Sequence, residues 1–427
     1  MSEAIERNLL SHMTTQEGIS RVWDLGVRFD VFENPTHRFI FEFMIDYWQN
    51  AKQQQPPTLE VMQAEYPQVP LDPEPDMAVD WIVSWMQKRY SSQKAQQLIR
   101  NAVKTVNEDP VGTLNALWRE AYDLAQVNAP RHTRVDVTET VEARRQRYRL
   151  DQENHNRSGV SIGLTEMDEH TRGILPGELC AVAAYTKTGK SWLLAHAFVT
   201  ALRAGLRPVF FTLEMAIPEI EDRIDALYSG VSYQRLSQRT LKPEESRDLR
   251  RAQDEMARHR DDIGRGFVER PPRGDRTVKE MTSRARQLGS GLLITDQLSF
   301  IDAERTYTGD SALRMKHGEL VFDLKDDISS ESSGKIPCML AVQMNRQAAS
   351  GGGRGELYNF ANSSMIEQTV DLALSLWRNQ EMRANNAMVL DILGSRRCET
   401  KSWTVGWHLT DRTEIQIREE YVENGMM

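Results

Sequence analysis

Apolar residues in the first 130 positions of the chain recur at helical spacing. Asn34 and Pro35 form a helix start signal, because a short polar side chain caps a helix and a proline ring presets φ in its first turn. Apolar residues then follow at intervals of three and four: Ile40, Phe43, Met44, Tyr47 and Trp48. Residues 1–130 therefore predict an all-α domain, whose simplest role is docking or oligomerisation.

Residues 131–160 depart from this pattern and predict a linker. Four arginines crowd one charged, helix-prone stretch: Arg144, Arg145, Arg147 and Arg149. The polar residues 151–159 follow, which is typical of a hinge. Two interpretations of the arginines stay open: direct contact with DNA, or a solvated linker helix that packs on a neighbouring subunit.

Residues 161–427 change to short apolar runs that alternate with amphipathic stretches. Five runs predict buried strands: 179–184, 208–213, 292–296, 337–343 and 372–377. Helical stretches separate most of them, so right-handed crossovers and a mostly parallel sheet covered on both faces are expected. Two more closely spaced runs, 388–393 and 403–408, predict an antiparallel finish. The fold class of this region is therefore α/β, preceded by the all-α domain and the linker helix.

Residues 184–191 match a phosphate-binding loop, except that an alanine stands where the pattern has its first glycine. Eight residues are expected to bind nucleotide there: Ala184, Tyr185, Thr186, Lys187, Thr188, Gly189, Lys190 and Ser191. An apolar strand leads into the loop and an amphipathic helix leaves it, so backbone N–H groups converge on the phosphates. Lys190 is expected to reach the β and γ phosphates of ATP, and the Ser191 hydroxyl to ligate Mg²⁺. A chance Gly-Lys-Ser in a surface turn is the alternative, which this flanking pattern disfavours.

Three polar side chains end other predicted strands, where the ligand crevice of an open parallel sheet lies. Asp296 is expected to hold the Mg²⁺ shell, against the alternative of a turn former. Glu214 is the expected general base that activates water, against a helix-capping role. Gln343 can hydrogen-bond the γ-phosphate and so report whether it is present.

Arginines near the glycine-rich residues 351–355 are candidates for contact with DNA. Arg346 and Arg354 are the available cations, and an ordinary surface loop is the alternative. The pair Arg396 and Arg397 follows a predicted strand. It is either a solvated pair near an edge or the source of an arginine that a neighbouring subunit receives at its phosphates.

Composition narrows the class of protein without deciding it. With 427 residues, 40% of them hydrophobic and 27% charged, the chain has an ordinary globular balance. Its 53 basic and 62 acidic residues leave a net charge of −9, so nucleic acid would have to bind at local basic patches. The three cysteines lack metal-ligand spacing, and we find neither a membrane-spanning run nor a secretory signal. We therefore expect a cytoplasmic protein without membrane contact.

Taken together, these motifs resemble the DnaB-like replicative DNA helicase family over almost the whole chain. Residues 32–41 resemble its helical domain, and residues 158–179 are similar to the start of its RecA-like domain. That family commonly has alanine where Ala184 stands. Residues 211–215 are similar to its catalytic-glutamate strand, and residues 343–346 to its Gln-Leu-Asn-Arg sensor.

The resemblance implies a RecA-like P-loop motor that hydrolyses ATP with Mg²⁺ in a ring of six subunits. Such a ring translocates on single-stranded DNA and unwinds the duplex at a replication fork. The resemblance places it in a bacterial cytoplasm, and a phage-infected host cell is one such location. ATP would lie between subunits, with Arg397 as the trans-acting finger. A separate primase and a helicase loader would be its partners.

Two departures from the family bear on these expectations. Ser395 stands where the family usually has a lysine, so Arg396 is a candidate assistant of Arg397. Residues 359–364 lack the arginine of the family's DNA loop. The alternative function is a RecA-like, DNA-stimulated ATPase of recombination or assembly, which hydrolyses ATP without separating strands.

Overall fold

A computed structural model of the chain divides into two compact units, Met1–Glu142 and Ala143–Met427. It describes residues 2–51, 55–127, 137–138, 140–153, 159–258, 264–308, 312–330, 334–344 and 364–421. The division falls within α7 (Val141–Glu153), inside the stretch 131–160 for which the sequence predicts a linker. The domain limits 1–130 and 161–427 stay a prediction.

The first unit is all-α, as the sequence predicts. Its helices are α1 (Ser2–His12), α2 (Gln16–Asp24), α3 (Pro35–Asn50), α4 (Leu59–Glu65), α5 (Val79–Thr105) and α6 (Pro110–Val127). The predicted start of α3 is confirmed, because the Asn34 side chain accepts hydrogen bonds from the backbone N–H groups of Thr36 and His37. Proline at the first position leaves no N–H unpaired there.

A buried carboxylate ties three helices of this unit together. Glu6 is fully buried, and its oxygens accept hydrogen bonds from the Glu33 N–H at 2.8 Å and from Arg89 Nη2 at 3.0 Å. The Nδ1 atom of His37 lies 3.0 Å from the same carboxylate. Burial alone would raise the pKa of Glu6, but the hydrogen bonds from His37, Glu33 and Arg89 outweigh it, and the pKa is lowered. A buried charge is tolerated here because it is fully paired.

The second unit is an α/β layer structure. Its helices are α8 (Thr165–Thr171), α9 (Lys190–Arg203), α10 (Ile217–Ser229), α11 (Tyr233–Ser237), α12 (Pro243–Arg258), α13 (Val278–Gln287), α14 (Ala312–Ser329), α15 (Ser364–Thr369) and α16 (Gln380–Ala384). Its strands are β1 (Leu179–Ala184), β2 (Pro208–Thr212), β3 (Phe267–Glu269), β4 (Leu292–Asp296), β5 (Cys338–Gln343), β6 (Leu372–Trp377), β7 (Ala387–Ser395), β8 (Ser402–His408) and β9 (Glu414–Glu420).

In the part of the chain that the structure describes, these strands form one sheet of nine in the order β3-β2-β4-β5-β1-β6-β7-β8-β9. The first six pair in parallel, and β7, β8 and β9 are antiparallel. This confirms the predicted parallel sheet with an antiparallel finish. Strand β1 is buried along its whole length, and apolar clusters cover both faces of the sheet.

Two strands were not predicted from the sequence. Strand β3 has only three residues, which are too few to form a recognisable apolar run, and each of them is half-buried. Strand β9 is polar at most positions and is the outermost strand of the sheet, next to β8.

Parallel strands run in the same direction, so the carboxyl ends of β1, β2, β4 and β5 lie together at one end of the strands. We call this end of the sheet the carboxyl edge. The opposite edge is called the amino edge.

Among the helices within the described ranges, we find none that is both long enough and apolar enough to cross a lipid bilayer.

Replacing Glu6 with alanine is expected to lower the free energy of unfolding by about 1–3 kcal/mol, because the N–H groups of Glu33 and Asn34 and Nη2 of Arg89 would lose their buried acceptor. Hydrogen exchange of the α1 and α3 amides in the full chain measures this loss. Glu3→Ala is the control, since Glu3 is exposed and accepts a hydrogen bond from the Asn34 side chain alone among the contacts described for it. An equal effect of both substitutions would contradict the role given to Glu6.

Candidate functional site

The predicted phosphate-binding loop connects β1 to α9 at the carboxyl edge. The carbonyl oxygen of Ala184 accepts hydrogen bonds from the Met344 N–H at 3.2 Å and from Lys190 Nζ at 2.9 Å. Helix α9 begins at Lys190, and the loop turns through positive φ at Lys187 and Gly189. The predicted loop and its flanking elements are therefore found, with the N-terminus of a 14-residue helix behind them.

Gly189 is required in this loop for two reasons. Its φ is +130°, a conformation that side-chain-bearing residues rarely adopt. A Cβ atom at this position would also lie 2.8 Å from the ring of Trp407 and 3.5 Å from Met388. Trp407 belongs to β8 and Met388 to β7, so the antiparallel part of the sheet packs directly under the loop.

Asp296 and Ser191 meet beside the loop. The Ser191 hydroxyl donates to Asp296 Oδ2 at 2.8 Å, although the residues are 105 positions apart. Asp296 is 1% exposed, and its Oδ1 atom has no hydrogen-bond partner among the residues that the structure describes. Burial raises the pKa of Asp296, against the Ser191 hydrogen bond and the charge of Lys190. A buried carboxylate oxygen beside a serine hydroxyl suits a hard cation such as Mg²⁺, which prefers oxygen ligands.

The charge of Glu214 acts on the Lys190 ammonium group. Burial lowers the pKa of Lys190, while the carboxylates of Asp296 and Glu214 act in the opposite direction. Glu214 follows Leu213, whose N–H donates to the carbonyl oxygen of Asp296 at 2.8 Å. Glu214 itself is exposed at the carboxyl edge, so its carboxylate is accessible to a water molecule.

Gln343 lies next to the start of the loop, because β5 pairs with β1 in a register that sets Gln343 opposite Ala184. Its side-chain oxygen accepts a hydrogen bond from Gln297 Nε2 at 3.2 Å. Gln297 also donates to the Ser299 hydroxyl at 2.8 Å. Gln343, the last residue of β5, is thus hydrogen-bonded to the residue that directly follows β4.

One cation of this site, Arg223 on α10, was not predicted from the sequence. Its positive charge acts to lower the pKa of Asp296, and its guanidinium carbon lies 5.2 Å from the centre of the Trp192 ring. Trp192 directly follows Ser191 and packs edge-on against Tyr233. Arg223 carries no motif of its own. A place on the helix that follows Glu214 was the available signal.

The structure does not bring Arg397 to the phosphate-binding loop of its own chain. Strand β7 runs antiparallel to β6 and pairs Ser395 with Leu372, so Arg396 and Arg397 lie at the amino edge. The six residues of β1, at about 3.3 Å each, separate the two edges by about 20 Å. Arg396 contacts the Gln368 carbonyl and Asp371. The predicted DNA contacts Arg346 and Arg354, with residues 351–355, lie outside the described residues.

A family model described as DnaB-like helicase C terminal domain matches residues 159–412. The replicative DNA helicase DnaB of Helicobacter pylori (strain J99) is 23% identical over 281 residues, which are 64% of this chain and 55% of that protein. This chain spans about half the length of the curated relatives it matches.

Solved structures extend the likeness to both units. One was described as the structure of a DnaB-like replicative helicase and its interactions with primase. It covers 98% of this chain and 100% of its own, with a TM-score of 0.65 and 15% identity. The ATPase domain of another protein covers 66% of this chain and 99% of its own, with a TM-score of 0.54 and 17% identity. At these identities the likeness shows the fold alone.

The substitution Gly189→Ala is expected to destabilise the chain and weaken nucleotide binding, because it adds backbone strain and a clash with Trp407. The clash should add about 1–3 kcal/mol to the loss of unfolding free energy. Gly230→Ala is the matched control, since Gly230 has φ +78° and nothing within 4 Å of a Cβ atom. Chemical denaturation and nucleotide titration of both variants separate strain from clash. Equal losses would contradict the proposed contact with Trp407.

Proposed function

Because residues 159–412 show that this chain belongs to the DnaB-like helicase family, we propose that it is an ATP-dependent DNA helicase of replication. It would form a ring, translocate on single-stranded DNA and unwind the duplex at a fork. The observation that carries this proposal is the convergence of Lys190, Ser191, Asp296 and Gln343 at the carboxyl edge, with Glu214 exposed beside them.

ATP is the proposed substrate of this edge. The loop residues Tyr185 to Ser191 would bind the phosphates through backbone N–H groups at the N-terminus of α9, where the helix dipole favours anions. Lys190 would exchange its hydrogen bond with the Ala184 carbonyl for the β and γ phosphates. Arg223, which already lies near Asp296, would add a second positive charge from the same chain.

Ser191 and Asp296 are the residues that would hold Mg²⁺. The ion, when bound, neutralises the negative charge that builds up on the phosphates. The buried Oδ1 of Asp296 and the Ser191 hydroxyl supply the hard oxygen ligands that such an ion requires.

Hydrolysis would proceed by attack of water on the γ-phosphorus. Glu214 would accept the proton of that water as the bond to phosphorus forms and ADP leaves with the electron pair of the broken bond. Its exposure at the carboxyl edge suits this role, since the nucleophile comes from solvent. Gln343 would hydrogen-bond the γ-phosphate and change its contact with Gln297 when the phosphate departs. Arg346 and Arg354 remain the proposed DNA contacts.

Arg397 is proposed to act on the nucleotide of a neighbouring subunit. Its place at the amino edge, about 20 Å from its own loop along β1, supports a trans role. A closed ring of six subunits would give every site one such arginine. A primase, a helicase loader and forked DNA are the proposed partners, and the bacterial origin of the matched relatives supports a bacterial cytoplasm as the location.

The purified full chain is expected to unwind a forked DNA duplex when ATP and Mg²⁺ are supplied. Lys190→Ala should lose both unwinding and hydrolysis, because the phosphates lose their principal cation. A strand-displacement assay, with native mass measurement of the assembly, tests this. DNA-stimulated hydrolysis without displacement would overturn the helicase proposal, and normal turnover by Lys190→Ala would overturn the site.

Mixtures of Arg397→Ala and Glu214→Ala subunits test the trans arrangement. Each variant alone should be inactive, because the first lacks the finger and the second lacks the base. In a mixed ring, a site with an intact Glu214 can face a subunit with an intact Arg397, so hydrolysis should return in part. Absence of any recovery in rings shown by mass to be mixed would argue against a shared site.

A further inference from the structure

The amino edge holds a carboxylate that the proposed reaction has not used. Glu178 directly precedes β1, and its side chain is 14% exposed. Its Oε1 lies 2.6 Å from Arg397 Nε, and its Oε2 accepts from Arg397 Nη2 at 2.7 Å. Both carboxylate oxygens thus face the guanidinium, one through a hydrogen bond and one through a close ion-pair contact, and together they set its direction.

Backbone carbonyls complete the surroundings of Arg397. Nη2 also donates to the Gly173 carbonyl at 3.0 Å, and Nη1 donates to the Thr171 carbonyl. An arginine has five N–H donors, so one donor on Nη1 is left for an acceptor outside this set. The guanidinium is therefore held in one orientation with part of Nη1 available.

Glu178 is also joined directly to β1, the strand that leads into the phosphate-binding loop. Glu178 stands at one end of β1, and the loop leaves the other end after Ala184. The Leu179 N–H donates to Asp371 Oδ2 at 2.8 Å, and Lys325 Nζ donates to the same oxygen at 2.8 Å. The start of β1 is thus pinned, and Glu178 cannot shift without the strand.

We propose that Glu178 is a positioning residue for Arg397, which it aims at the nucleotide of the neighbouring subunit. Without the Glu178 carboxylate, Arg397 keeps its charge and its two carbonyl acceptors but loses the partner that fixes its direction, so fewer of its conformations meet the phosphates. The loss then falls on the rate of the chemical step rather than on nucleotide affinity. This inference rests on the proposed trans role of Arg397.

Glu178→Gln is the informative substitution. The amide keeps the shape of the side chain and an oxygen acceptor for the Leu175 N–H, which now donates to Glu178 Oε2 at 2.9 Å. It removes the charge that holds the guanidinium. In the assembled full chain we expect kcat for ATP hydrolysis to fall about tenfold or more while KM changes less than about twofold.

Glu245→Gln is the matched control. Glu245 forms a bidentate pair with Arg235, with side-chain exposures of 14% and 25% against 14% and 23% for Glu178 and Arg397. Its pKa is lowered to about 2, first by the hydrogen bonds from Arg235. Loss of this pair should lower the melting temperature as a structural ion pair does and leave kcat unchanged.

Subunit mixing distinguishes positioning from a general effect on β1. Glu178→Gln subunits mixed with excess Glu214→Ala subunits should regain kcat per Glu178→Gln subunit, because the neighbour supplies a well-placed Arg397. Failure to regain activity in mixed rings would overturn the proposal, since the defect would then lie in the subunit's own site. Unchanged kcat in Glu178→Gln would overturn it as well.

Arg397→Ala separates this inference from the proposal on which it rests. An inactive Arg397→Ala beside a fully active Glu178→Gln would overturn the positioning role alone. A fully active Arg397→Ala would overturn the trans role of Arg397 and the positioning role together.

Discussion

The parallel pairing of β1 with β5 and β6 is the constraint on which the second unit depends. Because its strands point the same way, the residues that follow them must lie at one edge, and the register of β1 with β5 sets Ala184 beside Gln343. Strand β4 joins this group through β5 and carries Asp296. The hydrogen bond from Ser191 to Asp296 and the one from Lys190 to the Ala184 carbonyl follow from strand order as much as from the side chains themselves. A parallel sheet of this kind requires burial on both faces, which the two apolar clusters provide.

Much of this arrangement could be predicted from the sequence, because buried parallel strands are continuous apolar runs. The runs ending in Ala184, Asp296 and Gln343 are almost wholly apolar before their last residue, with Thr295 as the exception. Strand β3 could not be found, since three half-buried residues carry no period. Arg223 was missed for a different reason: its importance depends on where α10 lies in space, and its place on the helix that follows Glu214 was the one signal that the sequence offered. The domain limits and the roles of the site residues remain predictions, and Arg346 and Arg354 fall outside the described residues.

Both units bury apolar clusters, and the first unit buries a carboxylate, that of Glu6, as well. Glu6 satisfies the backbone N–H groups of Glu33 and Asn34, which precede α3 and would otherwise lack partners. Hydrophobic periodicity predicts the helices but does not identify Glu6 as a buried residue, because a glutamate in a helix is expected to be exposed on the surface. Its role appears only when the chain that precedes α3 is folded against α1.

The strands β7 and β8 have one further consequence. At the carboxyl edge, Met388 and Trp407 occupy the space that a Cβ atom at Gly189 would need, and at the amino edge the connection between the same two strands carries Arg396 and Arg397. The paired strands β7 and β8 thus connect the surroundings of the phosphate-binding loop to the segment that carries Arg397. A change that displaces one end of this hairpin is therefore expected to reach the other, because both ends share one ladder of backbone hydrogen bonds.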